Sequence, residues 1–182
     1  MKKISCLLIL TLLLSFAAQA QFRGLDKSPR DIAYFPDHFA HDRKEGDKAL
    51  VKISYSRPFA NGREIFGKLV PYGKVWRAGA DESTEIKLYQ DVTIGGKKVK
   101  AGTYSLFAIP GETEWTIIIN SDLDYWGAYK YKEANDVIRV TAPVSKASSP
   151  VENFSIQFKP APAGAILMMG WASTLVEVPF RF

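Results

Sequence analysis

The sequence predicts an all-β protein, a single antiparallel β-sandwich, with a jelly-roll-like or barrel-like arrangement as the alternative. Three observations carry this expectation. Short stretches alternate apolar and polar residues with period two. Turn signals recur about every ten residues, the spacing of sandwiches and barrels. No segment sustains a helical period beyond about two turns. One long connection, residues 57–82, stands out as an ordered loop.

The first twenty residues read as a cleaved signal peptide. Lys2 and Lys3 form a basic start, Ile4 to Ala17 is an apolar run, and Ala18-Gln19-Ala20 gives the small-x-small cleavage pattern. The run is short of the ~20 residues a membrane span needs. Cys6 lies inside it, so the lipid-bearing first residue of a lipoprotein is absent and the mature chain has no cysteine. Export to the periplasm or the cell exterior follows. Removing the leader lowers the net charge from +5 to +3, because Lys2 and Lys3 leave and no acid does. That balance is too mild and too evenly spread for nucleic acid. No second apolar run of spanning length is present, which predicts no transmembrane span in the mature chain.

Residues 21–48 are polar and turn-rich and read as an N-terminal arm; residues 49–182 read as the sandwich domain. Val51, Ile53 and Tyr55 alternate with polar neighbours, as do Thr84, Ile86 and Leu88. Val92–Ile94, Gly95-Gly96 and Lys97–Val99 read as a hairpin, since Gly-Gly accepts the positive φ of a two-residue turn. Ala101-Gly102 turns the chain into Thr103–Ile109, and Pro110-Gly111 turns it into Trp115–Asn120. Val137–Val140, Phe154–Phe158, Ala165–Trp171 and Thr174–Val178 read as further strands, with a turn at Pro160–Gly164. Short helices are expected around Arg63–Lys68 and Tyr129–Asn135.

The densest signal is Asn61 to Glu82, NGREIFGKLVPYGKVWRAGADE. It is too rich in Gly, Pro and aromatics for a regular helix and too irregular for a strand. Such a connection builds a shaped surface. Its order of residues, from Gly62-Arg63 through Phe66-Gly67, Pro71-Tyr72-Gly73 and Trp76-Arg77 to Gly79-Ala80-Asp81-Glu82, resembles the bacterial family called domain of unknown function 2911. Tyr55-Ser56-Arg57-Pro58, Ala101–Phe107, Ile109-Pro110-Gly111, Trp115-Thr116 and Trp126-Gly127-Ala128-Tyr129 extend the resemblance over about residues 50 to 180. One departure is Asp81, where the family more often carries Asn; it adds a negative charge beside Glu82. The resemblance implies an exported protein with no assigned activity.

The candidate ligand-binding residues are Arg57, Arg63, Tyr72, Trp76, Arg77, Asp81, Glu82 and Trp126. Arginine offers a planar fork that binds carboxylates at two points and stacks on rings. Two arrangements of these residues are open. In one, Arg77 or Arg57 bridges to Glu82 and pins the long loop to the sheet. In the other, Arg57, Arg77 and Glu82 meet a small polar ligand, a glycan or an envelope protein, with Trp76 or Trp126 as a wall. Trp115, within a strand, is expected in the core. A third reading keeps the signature residues for stabilising the fold alone.

Other chemistries lack parts. Gly62-x4-Gly67-Lys68 imitates a phosphate loop, but Leu69 stands where Ser or Thr must ligate magnesium. His38 and His41 supply two of the three or four ligands zinc needs. Asn120-x-Asp122-x-Asp124 starts like a calcium loop, but Tyr125 and Tyr131 replace its Gly and closing Glu. No metal and no cofactor are expected. No nucleophile elbow and no mature cysteine are present. Paired acids among Asp81, Glu82, Glu112, Glu114, Asp122 and Asp124 leave a glycan-directed hydrolase as the alternative to non-catalytic binding.

Overall fold

The computed structural model describes Phe22 and residues 24–182. The leader expected over residues 1–20 lies outside the described residues. Nine strands follow in order: β1 (Arg30–Phe35), β2 (Val51–Ser56), β3 (Thr84–Leu88), β4 (Val92–Ile94), β5 (Lys97–Val99), β6 (Gly102–Pro110), β7 (Glu114–Asn120), β8 (Asp136–Ala161) and β9 (Gly164–Arg181). They pair antiparallel in one sheet, ordered β1-β2-β3-β6-β7-β8-β9-β4-β5, which is not closed into a barrel. Among the described residues no helix is long and apolar enough to cross a membrane.

β8 folds the sheet back on itself. It pairs with β7 as far as Pro143 and with β9 from Val144 onward, and its register slips between Lys146 and Ser155. Such irregularities bend a strand. The two layers then meet through named contacts. The Tyr55 hydroxyl donates to the Ile156 carbonyl at 3.2 Å and accepts from the Ile156 N–H at 3.0 Å. The Phe35 and Phe158 rings lie 6.0 Å apart.

Period-two alternation explains which side chains fill the space between the layers. Val51, Ile53 and Tyr55 of β2, Trp115, Ile117 and Ile119 of β7, and Leu167, Met169 and Trp171 of β9 are all buried. The opposite parity puts Phe107 and Ile118 on the outer face, yet both are fully buried. The connection from β7 to β8 covers Phe107, whose ring lies 5.3 Å from Tyr131 and 6.0 Å from Tyr125.

The hairpin at Gly95-Gly96 forms as expected, with Ile94 opposite Lys97 and both glycines at positive φ. The Pro160–Gly164 turn also forms, joining Ala161 to Gly164. Three expectations need correction. The separate strands expected before and after residues 141–153 are one strand, β8, and those expected on either side of Ala172 and Ser173 are one strand, β9. Strand pairing links backbones, so the exposed Ser145 and Lys146 continue the strand opposite Leu175 and Thr174 without apolar alternation. No helix forms at Arg63–Lys68, because Gly62 and Gly67 both take positive φ and break the αR run. Of the helix expected around Tyr129–Asn135, only a single 3-10 turn at Glu133–Asn135 is present. In addition, residues 30–35 of the arm form β1, which pairs with β2 along its length.

Phe154 is fully buried in the aromatic core, its ring 5.0 Å from Trp76 and 5.8 Å from Tyr55. Replacing Phe154 with Ala should lower stability by about 3–5 kcal/mol in urea denaturation, since the cavity opens between two layers that cannot collapse independently.

Candidate functional site

The long loop is tied down along its whole length. Ala60 N–H donates to the Glu152 carbonyl at 2.7 Å, and Trp76 pairs with Ala108 of β6 through reciprocal backbone bonds of 2.7 and 2.9 Å. Ser83 N–H reaches the Tyr125 carbonyl at 2.9 Å, and Gly127 N–H reaches the Asp81 carbonyl at 2.8 Å. Between these ties the loop sinks its apolar residues into one end of the sandwich. Trp76 is only 7% exposed. Its ring stacks on Trp171 at 6.0 Å and meets Trp115 and Phe66 edge-on at 5.9 and 5.8 Å.

A buried indole N–H needs an acceptor. Trp76 Nε1 donates to the Gly79 carbonyl at 3.0 Å. The tight return passes through Ala78 at φ 50°, and Asp81 follows at φ 59°. Such left-handed non-glycine residues cost of order 1 kcal/mol each. Thr84 holds the turn, its Oγ1 donating to the Ala78 carbonyl at 2.6 Å. Glycine at 79 suits a close approach, since a Cβ there would stand 3.1 Å from the Ser56 carbonyl oxygen and would push it by a few tenths of an ångström. Arg77 sits at the start of this return.

The three arginines of the segment have different surroundings. Arg57 bridges the layers: its guanidinium donates to Asp31 at 2.8 Å, to the Ser155 hydroxyl at 2.9 Å and to the Phe154 carbonyl at 3.3 Å. Arg63 donates to the Ala60 carbonyl at 2.9 Å and to the Phe59 carbonyl, closing its own turn. Arg77 is half-buried, and its Nε is fully buried without a hydrogen-bond partner. Among the described residues it also forms no salt bridge. Glu82 instead pairs with Arg30 of β1 at 2.6 Å. The structure therefore brings neither Arg57 nor Arg77 to Glu82.

Arg77 borders a cleft of about 330 Å³ with Arg63, Leu69, Trp76, Asp81 and Trp171 among its walls. Trp126 borders a neighbouring cleft with Arg30, Asp81 and Glu82. Trp126 is 64% exposed and Tyr129, three residues on, is 84% exposed. Tyr72 packs over Gly67, where a Cβ would come within 2.8 Å of its ring, and is 40% exposed; Arg57 and Tyr72 border neither cleft.

Sequence reasoning missed Asp26, Ser28 and Arg30, which the arm contributes to these walls. Arg30 lies 52 residues from Glu82. The pairing of β1 with β2 and of β2 with β3 makes them neighbours, and no local spacing signals it.

A second polar cluster fixes the connection that carries Trp126. Asp136 accepts from Tyr131 at 2.6 Å, from Arg139 Nε at 2.6 Å and from Asn120 at 2.8 Å. Tyr125 donates a short bond to Asp122, which also accepts from Asn135 at 2.6 Å. These bonds hold the Asp122 carboxyl below its usual range and push the Tyr125 hydroxyl up to about 12. Burial, then the bond to Asp136, pushes Tyr131 up to about 12 as well. Asp136 raises Arg139 further above its ordinary value. Among the described residues no three His, Cys, Asp or Glu side chains gather to hold a metal. His38 pairs with Asp47 at 3.3 Å.

A family model described as a protein of unknown function, DUF2911, matches residues 38–180. No curated protein and no solved structure matches.

Two outcomes test the roles assigned to these contacts. Both tyrosine hydroxyls stay protonated beyond their ordinary value of 10.0, so their contribution to stability is complete below that pH and is lost as pH rises through about 12. Ultraviolet difference titration should show two tyrosines ionising only near the upper limit, together with loss of the fold. Arg57→Ala should cost roughly 1–3 kcal/mol in chemical denaturation by leaving Asp31 and the Phe154 carbonyl unpaired.

Proposed function

The chain belongs to the DUF2911 family of proteins of unknown function, and on that premise we propose that it is an exported, non-catalytic protein that binds a small polar ligand through an anionic group seated on Arg77. The observation that carries this reading is that Arg77, whose buried Nε has no partner, borders a cleft. A guanidinium N–H removed from water without an acceptor is costly. A carboxylate in the cleft would supply that acceptor, with charge assistance and two-point geometry. The leader pattern of residues 1–20 supports export.

A glycan is the second reading, favoured by the exposure of Trp126 and Tyr129. Pyranose faces stack on such rings through their C–H patches. Turnover of a glycan by the native protein would overturn the non-catalytic part of the proposal and favour the acids Asp81 and Glu82 as its chemistry.

The test compares the native protein with Arg77→Leu. A guanidinium held only for a ligand contributes no internal pair, so the variant should melt at or above the native temperature. Calorimetric titration with a panel of small carboxylates should show saturable binding to the native protein and roughly tenfold or weaker binding to the variant. A clear loss of stability in the variant, with no carboxylate bound by either protein, would give Arg77 a structural role instead.

A further inference from the structure

The Arg77 cleft does not end at Asp81. Ser28 and Asp81 also border the second cleft, of about 280 Å³. Arg30 and Glu82 carry that one into a third, of about 120 Å³. The shared wall residues place the three clefts side by side in one row. Its ends are unlike. Arg77 and Arg63 stand at one end. Glu85 and Asp124 stand at the other, and among the described residues neither carboxylate has a salt bridge or a side-chain hydrogen bond. In the middle, Arg30 and Glu82 neutralise each other at 2.6 Å, and Asp26 and Asp81 stand beside them. Trp126 forms an apolar wall there, turned largely to solvent.

We infer that this row of clefts takes a short peptide with free ends, its carboxylate at Arg77 and its protonated amine at Glu85 and Asp124. The inference rests on the reading of Arg77 as an anion seat and adds the class and direction of the ligand. Charge complementarity selects the class. A peptide carries one carboxylate and one ammonium at opposite ends whatever its sequence. An ammonium has three donors and no acceptor, which suits two carboxylates that lack partners. A polymer of repeated acidic units would set like charge against Glu85 and Asp124, and a neutral sugar chain would leave both ends of the row uncompensated. Trp126 then faces a side chain in the middle of the peptide, where an aromatic wall favours apolar contact.

Trp126 also supplies the readout. The other three tryptophans, Trp76, Trp115 and Trp171, are at most 7% exposed; Trp76 and Trp171 border the Arg77 cleft, so the emission is read against Trp126→Phe, which removes the Trp126 part of the change. The probe is a mixed-sequence tetrapeptide library prepared in three forms: free at both ends, amidated at the C-terminus and acetylated at the N-terminus. The free form should shift the emission and saturate. The amidated form should bind roughly tenfold or more weakly, and the acetylated form several-fold more weakly. The double variant Glu85→Gln, Asp124→Asn should bind the free and acetylated forms alike, since it removes what the amine meets. Glu85→Lys alone should weaken the free form further and keeps the inference testable if the double variant fails to fold.

Equal affinity for free and acetylated peptides would overturn the inference; if small carboxylates still required Arg77, the anion seat would stand without it. Binding of chitotetraose at Trp126 with no response to any peptide form would also overturn it, in favour of a sugar ligand. Failure of peptides and small carboxylates alike would remove both readings.

Discussion

Trp76 lies almost wholly buried between Trp115, Trp171 and Phe154, and its indole N–H has to find an acceptor away from water. The chain meets that demand locally, by curling back so that the Gly79 carbonyl receives the bond. Much else follows from this one contact. The curl needs left-handed backbone at Ala78, which Thr84 secures, and glycine at 79 suits the close approach of Ser56, where a Cβ would crowd the carbonyl. The same curl fixes the backbone on both sides of Arg77. An apolar demand, the burial of a large ring at the open end of a sandwich, thus sets the position of a charged group.

Around that point the charges are divided by the strands that bring them together. The arm places Asp31 against Arg57 and Arg30 against Glu82. Both pairs join β1 to residues at or beyond β2, so the edge strand is attached by ion pairs as well as by its ladder. Each is partly exposed, and the Coulomb energy alone is modest. Their larger effect is on what remains. Asp31 and Glu82 are engaged elsewhere, and the buried Arg77 Nε is left without a partner in a residue that borders a cleft beside Asp81. The Trp126 wall is fixed separately, by the carboxylates Asp122 and Asp136 and the hydroxyls of Tyr125 and Tyr131. Rigid surroundings reduce the ordering a ligand must impose.

Much of the fold was legible residue by residue. The alternation of Val51, Ile53 and Tyr55 and the Gly95-Gly96 turn each correspond to an element that forms. Both depend on neighbours within a few positions. What escaped were elements defined by distant partners. β1 has weak alternation and exists because β2 offers it a ladder. The middle of β8 is polar and exposed, and it remains a strand through the bend that folds the sheet. The segment 57–82 was recognisable as special, but its residues proved unlike in role: Trp76 is nearly buried, Arg57 bridges layers, and Arg77 stands at a cleft.

By itself, then, the chain specified most of its strands, its tight turns and the family to which it belongs, because period, turn chemistry and motif order are written in adjacent residues. The partners of its arginines were decided only by tertiary structure. Whether a guanidinium meets Asp31, Glu82 or none depends on register between strands tens of residues apart, and two side chains of the same type, Arg57 and Arg77, differ only in which carboxylate the folded sheet carries within reach.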